Sequence, residues 1–293
     1  MTFLEMLKVA EQRNRSSLCV GLDPDPAQFP MEWKGDPSRI YAFCANIVAA
    51  TYDLVIAYKP QIAYFAAYGA EKYLERLIEY IHVSAPGVPV ILDAKRGDIG
   101  DTAVQYAKEA FGRYGADAVT LSPFLGLDTI EPYMAEKYAD KGLFLLCKTS
   151  NKGSDYLQNQ RLHVQEMGSA GPTVYEYVAM TTSNPTWDKN GQVGLVVGAT
   201  FPEELEQIRK LAPRSPLLIP GVGKQGGDAA TVVRNAWRPD APIVVNSSRA
   251  ILYAHKEERF ADMEMSFGDS ARMVAKETRD ELEAAKREVV ERV

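Results

Sequence analysis

Short apolar runs alternate with amphipathic segments eight times along the chain, and this alternation constrains the fold more than any other feature. The runs are rich in valine, isoleucine and leucine, as in strands that are buried on both faces of a sheet. They lie at residues 19–22, 54–58, 88–94, 118–121, 143–147, 194–198, 216–219 and 243–245. Strands that alternate with helices form parallel sheets with right-handed crossovers. Eight such units predict an α/β protein with a closed (β/α)8 barrel, the TIM-barrel fold.

The segments between these strands have apolar residues at helical spacing. Predicted helices lie at about 37–52, 70–84, 129–138, 202–211 and 228–237, with further helices behind strand 3 and from about residue 172. A chain of 293 residues is long enough for two domains, but α/β barrels commonly fold as one. Because no Ser/Gly-rich linker or break in composition interrupts the pattern, we predict a single domain over residues 1–293.

Three segments lie outside the eight units. The first, at about 2–14, has apolar residues at helical spacing and predicts a short amphipathic N-terminal helix. The second, at about 151–171, is polar and longer than most connections; it fits a small hairpin or lid over the barrel mouth and equally a surface insertion. The third, at about 269–293, is a highly charged helical tail with one apolar side. It fits an outer helix packed on the barrel or a helix at a subunit contact.

Charge and the placement of cysteine and histidine narrow the classes of function. A net charge of -6 argues against a nucleic-acid-binding protein and against binding to an anionic membrane surface. The N-terminus lacks the continuous apolar segment of a signal peptide, and no stretch is long and apolar enough to span a membrane. The cysteines are far apart, which favours reduced core thiols, and the histidines are equally scattered. We expect a cytoplasmic protein without a metal site.

Residues 90–102 turn from an apolar strand into a run of charges. Side chains alternate between the two faces of a strand, so Asp93 and Lys95 point the same way at its carboxyl end. Asp98 follows at the turn into the next helix. Charges beside a buried strand are costly to desolvate unless they pair or do chemistry, and Asp-x-Lys alone fits a structural salt bridge. The full spacing Asp-x-Lys-x-x-Asp-Ile-x-x-Thr favours a functional site.

Further charges follow the first two predicted strands. Asp23 comes directly after strand 1 and Lys59 after strand 2. Each of them alone is most simply explained as a solvated loop charge. Active sites of (β/α)8 barrels lie at the carboxyl ends of the strands, however, so these residues share a rim with Asp93, Lys95 and Asp98. Their clustering on three consecutive strands predicts a site on that rim.

The loops after strands 7 and 8 indicate a phosphate site across the same rim. Strand 7 runs into a glycine-rich turn at residues 220–228 that opens a helix, and Arg249 follows strand 8. Glycines let backbone N–H groups approach an anion, a helix N-terminus favours negative charge, and arginine binds two phosphate oxygens at once. Loops 7 and 8 are also where phosphate sites recur in this fold. We therefore predict a phosphorylated small molecule as the ligand.

These motifs resemble the orotidine 5'-phosphate decarboxylase family. The family motif stands here as Asp93, Lys95, Asp98, Ile99 and Thr102. The resemblance extends to Gly-Leu-Asp-Pro-Asp around Asp23, Tyr-Lys-Pro around Lys59, the Pro-Gly-Val-Gly turn and Arg249, so it covers nearly the whole barrel. Related phosphosugar enzymes share the central motif alone. Arg96-Gly97 lies where many members have Phe-Ala, and the segment after strand 5 is long, which resembles a divergent bacterial branch of monofunctional enzymes.

The resemblance implies a role for each site residue. It implies that orotidine 5'-phosphate is converted to uridine 5'-phosphate in pyrimidine nucleotide biosynthesis. Asp23 and Lys59 would contact the ribose, and Ser150 would contact the pyrimidine edge. Gln225 and Arg249 would hold the phosphate, and Pro220 and Gly226 would be further substrate-binding residues. The family is dimeric, so the resemblance also implies a homodimer in which Asp98 and Thr102 reach across the interface.

Decarboxylation leaves an electron pair on the pyrimidine carbon, and the sequence gives no sign of a cofactor that accepts it. We predict a reaction without cofactor or metal, with Lys95, Asp93, Asp98 and Lys59 as the catalytic group. Nearby carboxylates keep Lys95 protonated, and it stabilises the carbanion and then donates the proton. Asp93 would lie against the departing carboxylate, where it either destabilises the ground state or positions Lys95.

Other functions fit parts of the same pattern. The first alternative is a metal-dependent sugar-phosphate decarboxylase or aldolase-like enzyme, in which the carboxylates of the motif bind magnesium. The second is a non-catalytic barrel that binds a phosphate ligand, although the intact array of charges argues against it. A Schiff-base aldolase is less favoured, because carboxylates near Lys59 and Lys95 keep both lysines charged.

Overall fold

Eight parallel strands form a barrel in the computed structural model, which describes residues 1–163, 171–222, 228–260 and 264–291. The strands are β1 (Leu18–Leu22), β2 (Ala57–Pro60), β3 (Ile91–Arg96), β4 (Ala118–Leu121), β5 (Gly142–Lys148), β6 (Val193–Val197), β7 (Leu217–Pro220) and β8 (Ile243–Ser247). Their order is β2-β1-β8-β7-β6-β5-β4-β3. Parallel bridges from Tyr58 to Val90 and from Gln61 to Asp93 link the two end strands. The predicted (β/α)8 barrel is confirmed.

Helices connect the strands and cover the outside of the barrel. They are α1 (Phe3–Asn14), α2 (Ile40–Thr51), α3 (Ile62–Ala66), α4 (Glu71–Ser84), α5 (Gly100–Ala107), α6 (Ser154–Gln158), α7 (Val174–Thr182), α8 (Pro202–Leu211), α9 (Ala229–Ala236), α10 (Arg249–Leu252) and α11 (Phe267–Glu291). Helix α5 continues into a π-helical turn, Lys108–Arg113. Among the described residues, none of the helices has the length and apolarity needed to cross a membrane.

The helix predicted at residues 129–138 is wrong. Separate 3-10 turns, Leu127–Thr129, Glu131–Met134 and Glu136–Tyr138, occupy this stretch. Pro132 has no N–H to donate to a helical hydrogen bond. Ala135 then adopts an extended ψ of 148° between two of the turns. The apolar side chains at helical spacing are buried nevertheless, because the short turns still press Tyr133 and Tyr138 against the barrel.

Helix α1 lies against the amino-terminal end of the barrel. It begins in a capping box in which the side chain of Thr2 accepts a hydrogen bond from the Glu5 N–H and Glu5 accepts one from the Thr2 N–H. The ring of Phe3 packs edge-on against Phe144 of β5, with 5.7 Å between centroids. The N–H of Phe3 donates to the Asp140 carbonyl, 2.7 Å away. This end is therefore closed by packing, and the opposite rim carries the polar residues.

The two segments with alternative predictions have definite structures. Helix α11 packs on α2 and α9, and its Arg272 pairs with Asp53 while the buried Lys286 pairs with Glu11. It is therefore an outer helix of the barrel; residues 292–293 lie outside the described part. The polar segment contains α6 and an antiparallel bridge from Arg161 to Thr173. Its residues 164–170 are outside the described residues.

Candidate active site

Two lysines and one aspartate form a continuous chain of charges at the carboxyl rim. Lys59 Nζ, from β2, donates to Asp93 Oδ2 at 2.8 Å, and Lys95 Nζ donates to Asp93 Oδ1 at 2.6 Å. Lys59 is 5% exposed and Asp93 6%, whereas the side chain of Lys95 is 46% exposed. The chain therefore runs from a buried pair to an accessible ammonium group. This arrangement presents Lys95 to a bound molecule with Asp93 directly behind it.

Thr120 of β4 orients this chain of charges, and the sequence analysis missed it. Its hydroxyl donates to Asp93 Oδ1 at 2.8 Å and accepts from the N–H groups of Ala94 and Lys95. Lys95 has a φ of 45°, a left-handed conformation that is uncommon outside glycine and that often marks functional sites. The Thr120 hydroxyl thus fixes both the carboxylate and the backbone that carries Lys95. A polar residue within an apolar strand was the available signal.

The ionisation of the buried pair follows from two opposing effects. Burial by itself raises the pKa of Asp93, but the charges of Lys59 and Lys95 outweigh it and hold that pKa below its usual range. Burial likewise lowers the pKa of Lys59, but the carboxylates of Asp93 and Asp23 outweigh it and raise that pKa above its ordinary value. Asp93 is therefore a carboxylate and Lys59 an ammonium group at neutral pH.

Asp23 lies beside this chain of charges, after β1. Its Oδ1 atom is buried and has no hydrogen-bond partner among the described residues. Buried polar atoms are nearly always paired, so an unpaired acceptor at this rim is suited to a ligand. Tyr253 fixes the backbone here, since its hydroxyl donates to the Asp23 carbonyl at 2.9 Å and accepts from the Asp25 N–H at 2.8 Å.

Two adjoining cavities open on the rim and share Lys59, Asp93 and Pro220 in their lining. One has a volume of about 180 Å³ and extends from these residues to Asp23 and Arg249. The other has a volume of about 570 Å³ and extends to Lys95 and Thr120 and along the segment after β5. An elongated ligand that filled both cavities would have one end at Arg249 and the other near Ser150, with its middle against Lys59 and Asp93.

Some of the predicted binding residues lie in the described part of the chain, and others do not. Ser150 lines the larger cavity, and Arg249, at the start of α10, is exposed in the smaller one. Gln225 and Gly226 lie outside the described residues. Within the described ranges, no group of three or more His, Cys, Asp or Glu side chains is arranged to hold a metal ion.

Asp98 and Thr102 are not part of either cavity in the described protomer. Asp98 is half-buried and accepts a hydrogen bond from the N–H of Ile99, and Thr102 is exposed. Neither residue forms a hydrogen bond or an ion pair with Lys59, Asp93 or Lys95 in the part of the chain that the structure describes. The structure therefore brings most of the described site residues together and leaves these two on the surface.

A closed parallel barrel whose carboxyl rim carries a chain of paired charges defines a class, the (β/α)8-barrel enzymes. Sequence comparison refines that class. The chain belongs to the orotidine 5'-phosphate decarboxylase / HUMPS family, whose family model matches residues 16–262. The predicted family resemblance is confirmed.

Individual relatives and solved structures agree with this family assignment. The orotidine 5'-phosphate decarboxylase of Variovorax paradoxus (strain S110) is 62% identical over 287 residues, covering 98% of this chain and 100% of that protein. The enzyme of Polaromonas naphthalenivorans (strain CJ2) is 61% identical over 286 residues, covering 98% and 97%. The structure of Leishmania donovani OMP decarboxylase has a TM-score of 0.80 at 36% identity, covering 98% of this chain and 99% of that one. Leishmania donovani UMP synthase has a TM-score of 0.80 at 38% identity, covering 97% and 56%.

Proposed function

We propose that this protein decarboxylates orotidine 5'-phosphate to uridine 5'-phosphate in pyrimidine nucleotide biosynthesis, without a cofactor. The observation that carries the proposal is the chain of charges from Lys59 through Asp93 to Lys95, which lies where the two cavities meet. Relatives that are 62% and 61% identical over almost their whole length are named for this activity.

The reaction breaks the bond between the pyrimidine ring and its carboxylate. Carbon dioxide leaves, and the electron pair of that bond stays on the ring carbon. The ammonium group of Lys95 stabilises the developing negative charge and then donates a proton to the carbon, and solvent returns the proton to the neutral amine. Asp93, ionised and held by Lys59 and Thr120, lies beside the departing carboxylate and keeps Lys95 in place.

The two cavities match the two ends of the substrate. In this proposal the phosphate lies at Arg249, with Pro220 at the end of β7 and Gln225 and Gly226, which follow it in the sequence. The ribose lies against Lys59 and Asp23, whose unpaired Oδ1 atom is suited to accept a hydroxyl hydrogen bond. The pyrimidine occupies the larger cavity, between Lys95 and Ser150. Binding energy from the remote phosphate then drives orientation of the ring at Lys95.

The active form in this proposal is a homodimer in the cytoplasm. Exposed apolar side chains include Ile99, within the motif, at 62% exposure and Phe124, after β4, at 79%. Apolar surface of this kind is typical of protein interfaces. Asp98 and Thr102 lie on either side of Ile99 in the sequence, which supports their contribution to the partner's site. The buried free thiols of Cys19, Cys44 and Cys147 fit a reducing compartment.

The other candidate functions are not favoured by the contacts at the rim. Both carboxylate oxygens of Asp93 already accept hydrogen bonds, Oδ1 from Lys95 and Thr120 and Oδ2 from Lys59. A magnesium ion would have to displace these ammonium groups before it could use that carboxylate. The raised pKa of Lys59 keeps its amine protonated, and a protonated amine cannot form a Schiff base.

The proposal is tested with purified protein, orotidine 5'-phosphate and excess chelator. We expect loss of the orotidylate absorbance at the same rate with and without chelator, and equimolar uridine 5'-phosphate as product. Activity that disappears with chelator and returns with magnesium would support the metal-dependent alternative. No turnover of the nucleotide or of sugar phosphates would support the non-catalytic barrel.

Replacing Arg249 with alanine should weaken productive substrate binding. Charge-assisted hydrogen bonds to an anion contribute about 1.5–3 kcal/mol, so kcat/KM should fall by roughly 10- to 100-fold, mainly through KM. Steady-state kinetics measure the effect. Arg287→Ala, an exposed arginine of α11, is the matched control and should keep the wild-type values. Unchanged kcat/KM in Arg249→Ala would contradict the assignment of the phosphate end.

A further inference from the structure

Lys148, at the end of β5, is a completely buried lysine outside the chain of charges at the rim. Its side chain is 0% exposed. Its Nζ atom donates to Asp155 Oδ1 at 2.6 Å, Asn159 Oδ1 at 2.9 Å and Ser154 Oγ at 3.3 Å. The ring of Phe201 lies 4.4 Å from the same atom. A buried ammonium group is costly unless it is paired and hydrogen-bonded, and here all three acceptors come from the polar segment after β5.

Among the described residues, few other side-chain contacts hold the part of the segment that supplies these acceptors. Helix α6 has 5 residues, and isolated helices of that length are not stable in water. Its large apolar side chains contribute little buried surface, since Tyr156 is 88% exposed and Leu157 51%. Gln158 adds two hydrogen bonds, both to Thr149. Among the side-chain contacts that the structure describes, those of Lys148 are therefore the main link between α6 and the barrel.

The anchored segment forms one wall of the larger cavity. Ser150, Ser154, Leu157 and Gln158 line the same cavity as Lys95, whereas Lys148 and Asp155 do not line it. Ser150 is confined from the barrel side as well, because a Cβ at Gly198 would lie 2.9 Å from the Ser150 Cα atom. The N–H of Gly198 donates to the Lys148 carbonyl at 2.8 Å. Lys148 is thus bonded to the segment after β5 through its side chain and to Gly198 through its carbonyl, and Ser150 lies between these two contacts.

We propose that Lys148 is a positioning residue for the pyrimidine end of the substrate: its ammonium group docks α6 on the barrel and thereby fixes Ser150 and the wall that α6 contributes to the larger cavity. This rests on the proposed function, because it assigns the larger cavity to the pyrimidine. Lys148 touches no substrate atom. It acts through the shape of the cavity, so its removal disturbs one end of the binding site and leaves the ribose and phosphate end intact.

The test compares two variants. Lys148→Met keeps the length of the side chain without its charge, and Asp155→Asn removes the charge of the carboxylate that accepts a hydrogen bond from Lys148. Each variant should lower kcat/KM by about 10- to 100-fold, mainly through KM, since small displacements of a binding wall have effects of that size. The double variant should be no worse than Lys148→Met alone, because both changes break the same link. Gln160→Ala, an exposed position of the same segment, should keep wild-type kinetics.

Calorimetric titration with two probes separates positioning from general damage. Binding of uridine 5'-phosphate should weaken at least tenfold in Lys148→Met, whereas ribose 5-phosphate, which lacks the base, should bind as it does to the wild type. Equal weakening of both probes, or no change in either, would overturn the proposal. If Lys148→Met does not fold, the same two probes are titrated into Asp155→Asn and Asn159→Ala, which change exposed residues that accept hydrogen bonds from Lys148. The titrations measure binding without turnover, whereas the assay of the wild-type protein measures decarboxylation. Failure of the positioning role and failure of the proposed function are therefore distinguishable.

Discussion

Lys95→Ala should abolish turnover of orotidine 5'-phosphate while the protein remains folded. General acid catalysis contributes a factor of about 10² to 10⁴ and a preorganised charge about 10² to 10³, and the alanine variant loses both, so kcat should fall by at least about 10⁴-fold. The fold should tolerate the change, because the Lys95 side chain is 46% exposed and Asp93 keeps its hydrogen bonds from Lys59 and Thr120. Alanine also has a Cβ atom, so the left-handed backbone at this position is no more strained than before.

Single-turnover and steady-state assays on folded protein measure this effect. Circular dichroism and a thermal melt should match the wild type, and Lys72→Ala, an exposed lysine of α4, is the control for loss of one surface charge. Uridine 5'-phosphate should still bind to Lys95→Ala, because the predicted ribose and phosphate contacts are unchanged. Turnover near the wild-type rate would rule out Lys95 as the proton donor.

The sequence predicts the catalytic strand well in position and less well in extent. The apolar run ends near residue 94, whereas β3 extends through Arg96, which pairs with Leu121 of β4. The register shifts between Leu92 and Arg96, where Lys95 takes its left-handed conformation. The end of the apolar run shows where side chains are no longer buried in the core. The end of the strand depends instead on backbone pairing with the next strand. The bulge that turns Lys95 toward the cavity is therefore invisible in the pattern.

Two functional features depend on contacts between distant strands and could not be predicted from spacing. Thr120 lies 27 residues from Asp93, and nothing local to either residue indicates their hydrogen bond. Lys148 follows an apolar strand and would ordinarily be placed in solvent, because lysine is almost never fully buried without a partner. Its partners lie in a polar segment that could be interpreted as a hairpin, a lid or an insertion. The interactions of a buried charge become apparent only when the chain is folded.

The strand-end residues were predictable for a geometric reason. In a parallel barrel all carboxyl ends lie on one rim, so Asp23, Lys59, Asp93 and Lys95 had to converge once the eight units were recognised. The structure adds which of them pair, and that Asp93 is shared between the two lysines. Asp98 and Thr102 did not converge with these residues in the protomer. Their proposed place is therefore the active site of a second subunit.

Mixing two inactive variants, Lys95→Ala and Asp98→Ala, should restore activity. Within the described residues of one protomer, Asp98 accepts only the local hydrogen bond from the Ile99 N–H, so its proposed target is Lys95 of a second subunit. Each variant alone should lose turnover, with Asp98→Ala down roughly 10²-fold or more, because a charge beside the reacting group is removed. After subunit exchange, half of the dimers are mixed, and each mixed dimer has one site with both residues intact. About a quarter of the wild-type activity should return.

The matched control mixes Lys95→Ala with Lys59→Met. These lysines belong to one site of one protomer, joined through Asp93, so every site in a mixed dimer carries one of the two changes and no activity should return. Differently tagged subunits show by co-purification that exchange has occurred. If exchange is complete and the Lys95→Ala and Asp98→Ala mixture stays inactive, Asp98 acts within its own protomer or not at all. Recovery only in that mixture assigns Asp98 to the partner's site, because no arrangement within a single chain yields an intact site from these two variants.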